Sequence, residues 1–194
     1  WDFDSLSGSL PTGWTSTSNA FGLTNDNTLG TTTSAPYGYL SCGTNGSSGG
    51  SLMLRNGAVT VTSDTIDMSA LSQGTISFWM TEGRINCGED PDTTEHLYIE
   101  YKNSAGGWSQ ITYFNAALGL PGYTNVNSQF NLPANALHSN FQFRFRLPGA
   151  SGTCCDWWFV DDIKVTTPGG DGNWTSPAFG WGSGTTYSMV EGPY

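Results

Sequence analysis

Between residues 141 and 147 the chain alternates without a fault. Phe141, Phe143, Phe145 and Leu147 fall on one side, and Gln142, Arg144 and Arg146 on the other. Successive side chains of a β-strand point to opposite faces, so this run predicts a strand with one buried and one wet face. Shorter stripes of the same period recur along the sequence. They are Leu52 and Leu54; Val59 and Val61, after Asn56-Gly57; Ile76, Phe78 and Met80; Leu97, Ile99 and Tyr101; and Ile111 with Tyr113, after Gly106-Gly107. Asn-Gly is a strong hairpin signal, which predicts that the two runs flanking it pair with each other. No window of eleven or more residues carries helical periodicity. Many short strands joined by Gly-, Asn- and Pro-rich connections predict an all-β fold, an antiparallel two-sheet jelly-roll sandwich.

That domain spans residues 1–167, and residues 168–194 form an extended Gly/aromatic-rich C-terminal tail. Trp174, Phe179, Trp181 and Tyr187 lie in the tail. Large rings exposed on a linker invite association. The tail therefore docks on its own domain, adds to a neighbouring subunit, or is an appended remnant.

The closing run Trp157-Trp158-Phe159-Val160-Asp161-Asp162-Ile163-Lys164-Val165 is also read as a strand. In uninterrupted alternation Trp157, Phe159, Ile163 and Val165 share a core-facing side, and Asp161 falls in phase with them. A bare carboxylate in that register is costly unless a cation or several donors satisfy it. Asp161 is thus a candidate ligand of a structural cation, and the alternative is a bulge that leaves both aspartates in water.

Sixteen acidic residues against six basic ones give a net charge of −10, which argues against nucleic acid or an anionic membrane as partner. No apolar run approaches the roughly 20 residues needed to span a bilayer, so no membrane insertion is expected. The four cysteines, Cys42, Cys87, Cys154 and Cys155, show no Cys-x-x-Cys spacing and favour disulfides over zinc. Adjacent strand residues face apart, so Cys154 and Cys155 reach separate partners, with Cys42 and Cys87 as mates in an order left open. Disulfides imply a secreted, extracellular compartment. The glycosylation sequons at Asn45 and Asn173 fit that compartment. The chain opens at Trp1 rather than Met, as a processed or excised segment would.

Several stretches together resemble the jelly-roll modules of the MAM family and of reelin subrepeats, a concanavalin-like sandwich. They are Phe3-Asp4-Ser5 with Gly13-Trp14, Cys42-Gly43-Thr44, Gly50-Ser51-Leu52-Met53-Leu54 and Cys87-Gly88. Glu95-His96-Leu97-Tyr98-Ile99-Glu100-Tyr101, Gly107-Trp108 and Trp158-Phe159-Val160-Asp161-Asp162-Ile163 complete the set. The resemblance covers residues 1–167. It implies an adhesion or recognition module with a structural Ca²⁺ and without a catalytic role. It also implies that first and last strands are neighbours, so that Asp2 or Asp4 meets Asp161. Asn25, Asp26 and Asn27 offer further hard oxygen donors, and Ca²⁺ takes six to eight oxygens, backbone carbonyls among them.

Catalytic motifs are weak. Gly46-Ser47-Ser48-Gly49-Gly50 matches an esterase pattern, but the strand-turn-helix setting of a nucleophile elbow is missing. Glu95 and Glu100 lie five apart on one predicted strand and face opposite ways, so they cannot flank one glycosidic bond. The sequence reading is a non-enzymatic recognition or adhesion module that contacts other protein subunits or copies of itself, with the tail rings supplying the contact. The alternative is a glycan-binding module that uses Trp79, Tyr98 and Trp158, which lie off the core stripes.

Overall fold

The computed structural model describes residues 1, 3, 10–17, 21–25, 50–54, 57–83, 91–116, 126–149 and 157–167, with backbone alone at 21–25, 50 and 126–128. The 141–147 alternation becomes a strand, Phe143–Leu147, entered through an isolated bridge between Phe141 and Ile66. All four apolar side chains of this stripe are at most 1% exposed, whereas Arg144 and Arg146 keep 20% and 30% of their side chains in contact with water. Each buried ring contributes about 1.5–3 kcal/mol relative to exposure.

Among the described residues ten strands form in chain order: β1 Thr15–Ser16, β2 Phe21–Asn25, β3 Gly50–Leu54, β4 Val59–Thr62, β5 Thr75–Glu82, β6 Leu97–Lys102, β7 Trp108–Phe114, β8 Val126–Asn131, β9 Phe143–Leu147 and β10 Trp158–Thr166. They build two five-stranded sheets, β1-β4-β9-β6-β7 and β2-β3-β10-β5-β8, and every pairing is antiparallel. Between them lies one core, to which the stripes of β3, β4, β5, β6 and β9 all contribute. This is the expected all-β jelly-roll sandwich. A 3₁₀ turn lies at Ala134–Ala136, and among the described residues no helix is long and apolar enough to cross a membrane.

Three local expectations are corrected. The Asn56-Gly57 turn does not close a hairpin: β3 and β4 lie in different sheets. Gly57, at φ 120°, lets the chain pass from one sheet to the other in a backbone region that disfavours side chains. The Gly106-Gly107 turn does close one. Asn103 Oδ1 accepts the amides of Ala105 (3.1 Å) and Gly107 (3.0 Å), and Gly106 takes φ 85°.

The second correction concerns β7. Ile99 pairs with Thr112 but Glu100 with Gln110, so Ile111 is an extra residue in a β-bulge. Ile111 packs against the core while Tyr113 stands on the outer face, 44% exposed.

The third concerns β10, where the predicted stripe is split. Trp158 and Val160 join the main core, whereas Trp157 and Phe159 form a separate buried cluster with Met53 and Trp79 on the opposite face. A bulge between Asp161 and Lys164, with Asp162 at φ 50°, then inverts the phase. Ile163 and Val165 consequently return to the main core. Asp tolerates this left-handed backbone better than most residues, since its short side chain can bond locally.

The opening residues run beside β10 past the point where β3 stops pairing. The Trp1 nitrogen donates to the Ile163 carbonyl, Ile163 N donates to the Trp1 carbonyl at 2.8 Å, and Phe3 N donates to Asp161 Oδ1 at 3.4 Å. Trp1, Trp14 and Phe143 then meet edge to face, with centroids 5.3–5.7 Å apart. The opening residues Trp1 and Phe3 thus lie beside β10, whereas the first strand, β1, pairs with β4 in the other sheet and is not the neighbour of β10.

Candidate functional site

The outer face of the β1-β4-β9-β6-β7 sheet is ordered into rows by strand register. Directly opposed residues of antiparallel strands share a face, so Thr60, Arg146, Tyr98 and Tyr113 form one row across β4, β9, β6 and β7. Thr62, Arg144, Glu100 and Gln110 form the next. Lys102 and Trp108 pair in a third, where Lys102 Nζ donates to Gln142 Oε1 at 3.2 Å.

Charge and aromatic rings interlock across these rows. Glu100 Oε2 accepts Arg144 Nε at 2.6 Å and Arg146 Nε at 3.0 Å, and Oε1 accepts Arg146 Nη2 at 2.9 Å. Burial pushes the Glu100 carboxyl up, but the hydrogen bonds from Arg146 and Arg144 and their charges outweigh it and hold it below the usual carboxylate range. The hydrogen bond to Glu100 raises Arg146 in turn. Both groups are therefore ionised at neutral pH.

The guanidinium carbon of Arg144 lies 4.1 Å from the ring centroid of Trp108, and that of Arg146 lies 4.5 Å from Tyr98. Tyr98 stacks on Tyr113 at 5.6 Å and 20°, and His96 packs 5.6 Å from Tyr113. His96 is fixed rather than simply exposed, since its Nδ1 accepts the Ala116 amide at 3.3 Å. The result is a rigid, partly exposed platform of rings and guanidinium planes on strands anchored by the core beneath.

The other aromatics proposed as sugar platforms are closed off. Trp158 is fully buried in the main core, its Nε1 donating to the Glu95 carbonyl at 2.8 Å, and Trp79 is 1% exposed in the outer cluster. Only Tyr98 of the three stands on the open face. Glu95 is apart from Glu100: it is 3% exposed before β6 and its carboxylate accepts the Asp92 amide at 2.9 Å.

Of the predicted metal ligands, Asp161 is 4% exposed and shares its face with its partner Trp79, not with the main core. It is in phase with Trp157 and Phe159, as uninterrupted alternation predicts, but that face is the outer buried cluster, and a bulge follows it without leaving Asp161 in water. Asp2, Asp4, Asp26, Asn27 and the side chain of Asn25 lie outside the described residues, although the Asn25 backbone pairs with Gly50 in β2 and β3. Among the described residues no three His, Cys, Asp or Glu side chains gather as a metal site. Cys42, Cys87, Cys154, Cys155, Asn45, Asn173 and the tail residues Trp174, Phe179, Trp181 and Tyr187 also lie outside them.

Tyr113 and Trp108 were missed as surface residues. The bulge at Ile111 hides the parity of Tyr113, while Trp108 carried one usable signal, its place just after the Gly106-Gly107 turn.

No family model matches the sequence. No curated protein matches it either. Solved structures do. One described as carbohydrate-binding modules of the β-sandwich superfamily matches at TM-score 0.51 and 13% identity, over 85% of this chain and 62% of that one. The K3 adhesin domain of Lys-gingipain from Porphyromonas gingivalis w83 matches at TM-score 0.47 and 16% identity, over 86% of this chain and 96% of that one. The C-terminal family 22 carbohydrate-binding module of Clostridium thermocellum Xyn10B matches at 0.44 and 14%, over 86% and 92%. The present chain thus spans less than two thirds of the first of these. At such identities the likeness is one of fold, and the fold is the two-sheet β-sandwich.

Proposed function

We propose that this protein is a non-catalytic carbohydrate-binding module whose binding surface is the outer face of the β1-β4-β9-β6-β7 sheet. The observation that carries the reading is the platform of Tyr98, Tyr113, Trp108, Arg144, Arg146 and Glu100 on three adjacent strands. Sugar rings have apolar C–H faces that pack on aromatic rings and hydroxyl edges that need donors and acceptors at fixed positions. A strand-borne platform supplies both with little to order on binding. The shared β-sandwich fold of a solved structure described as carbohydrate-binding modules supports the same reading. Glu100, held ionised between two guanidiniums, is poorly suited to act as a glycosidase acid, a role that needs a raised pKa and a second carboxylate nearby.

Tyr113→Ala tests this directly. A ring 44% exposed contributes little to stability, so the unfolding free energy should change by no more than about 0.5 kcal/mol. Saccharide affinity in calorimetry should fall about tenfold, as for truncation of a central aromatic contact. Unchanged affinity for a bound sugar would move the site elsewhere.

In this reading the module is extracellular and holds a structural Ca²⁺ beside Asp161, with a MAM-like ancestry. Support for the metal comes from the burial of Asp161 and its bond to Phe3, a residue flanked in sequence by Asp2 and Asp4. Chelation should then lower the thermal midpoint by about 5–10 °C relative to Ca²⁺ at a hundredfold excess over its Kd. An identical midpoint with and without chelator removes the metal from the account.

A further inference from the structure

The chain carries only six basic residues in a net charge of −10, yet Lys102, Arg144 and Arg146 stand together in the three rows of the proposed binding face. Glu100 is the one carboxylate in those rows, so the patch is positive on a strongly acidic protein. Charges farther away than about 8 Å are largely screened at physiological salt, and a bound ligand would feel this local excess.

The hydrogen bonding within the patch is incomplete in a specific way. Glu100 occupies Nε of Arg144, and Nε and Nη2 of Arg146. Both terminal nitrogens of Arg144 and Nη1 of Arg146 have no acceptor among the described residues. Those side chains are 20% and 30% exposed, and each guanidinium carbon lies over a ring, Trp108 or Tyr98. Stacking and the shared carboxylate fix the donors before any ligand arrives, so little side-chain freedom remains to be lost. A neutral sugar would use such donors only through hydroxyls, whereas an oxyanion accepts two parallel N–H bonds from one guanidinium.

We infer that the preferred ligand is an anionic glycan, recognised through a uronate carboxylate or a sulfate ester by Arg144 and Arg146 while Tyr113 packs against the sugar ring. The inference rests on the glycan-binding reading above and narrows it.

Titration calorimetry of the full chain against oligogalacturonate and its fully methyl-esterified form is the test, because the ester keeps the backbone and removes the charge. A sulfated galactan with its desulfated counterpart distinguishes sulfate from carboxylate, and neutral xylo- and cello-oligosaccharides complete the panel. The acid forms are expected to bind at least roughly tenfold more tightly than their neutral counterparts, consistent with charge-assisted hydrogen bonds. Arg144→Gln should weaken acid binding by roughly ten- to a hundredfold and weaken binding to the neutral counterpart by clearly less, so that the acid-to-neutral affinity ratio falls. Because the ester comparison uses the unaltered protein, it stands even if this variant folds poorly. Equal binding of charged and neutral forms, or preference for a neutral oligosaccharide, overturns the anionic assignment and leaves glycan binding intact. Binding to no saccharide in the panel overturns both.

Discussion

Replacing Phe143 by alanine is expected to lower the unfolding free energy by about 3–5 kcal/mol, the usual cost of deleting a fully buried ring. Phe143 is 0% exposed, and its ring meets Trp1, Trp14, Phe141 and Phe145 with centroids 5.3–6.4 Å apart. The surroundings cannot collapse into the space, because both sides of the backbone are tied: Phe143 pairs with Tyr101 in β6, and its amide and carbonyl bond Ser63 Oγ (3.0 Å) and Ser63 N (2.9 Å). Domains of this size carry about 5–15 kcal/mol in all, so the loss is a large fraction of the total. Denaturant titration should show a lower midpoint with an unchanged slope. A loss under about 1 kcal/mol would mean that the opening segment does not pack on β9 as described.

Trp158→Ala should be comparably severe, at about 3–5 kcal/mol. The indole is fully buried between the sheets, and its Nε1 holds the Glu95 carbonyl at 2.8 Å. Trp158→Phe separates the two contributions. It keeps most of the apolar volume and leaves a buried carbonyl without that donor, which costs about 1–3 kcal/mol. Equilibrium unfolding of the pair measures both terms. If Trp158→Ala were nearly neutral, the indole would not be buried in the main core as described.

That phase is where sequence reading succeeds and fails for definable reasons. The stripes Leu52/Leu54, Val59/Val61, Ile76/Phe78/Met80, Leu97/Ile99/Tyr101 and Phe141–Leu147 were legible because each alternates cleanly, and all enter the core. β10 is apolar on both faces, so hydrophobicity does not say which face is which. Its bulge at Asp161–Lys164 then joins two phases in one strand. The bulge at Ile111 did the same for Tyr113. Asn56-Gly57 is a local signal, silent about which sheet the next strand joins.

The site was legible in fragments. That Arg144 and Arg146 share one face follows from strand parity alone, whereas their pairing with Glu100 needs β6 beside β9. That β6 lies between β9 and β7, which brings Trp108 and Tyr113 to the same face, is a matter of topology that no short window contains. Trp79 and Trp158 showed the opposite failure. Lying off a predicted stripe did not mean exposure, because the β2-β3-β10-β5-β8 sheet is apolar on both sides around β10.

Amide chemical-shift mapping during saccharide titration shows which sheet face the ligand meets, residue by residue. Shifts are expected to concentrate at residues 96–102, 108–114 and 142–146, with the largest changes beside Tyr113 and Arg146. Perturbations confined to β2, β3, β5 and β10, with the Tyr98–Tyr113 rows silent, would contradict a site on the β1-β4-β9-β6-β7 sheet.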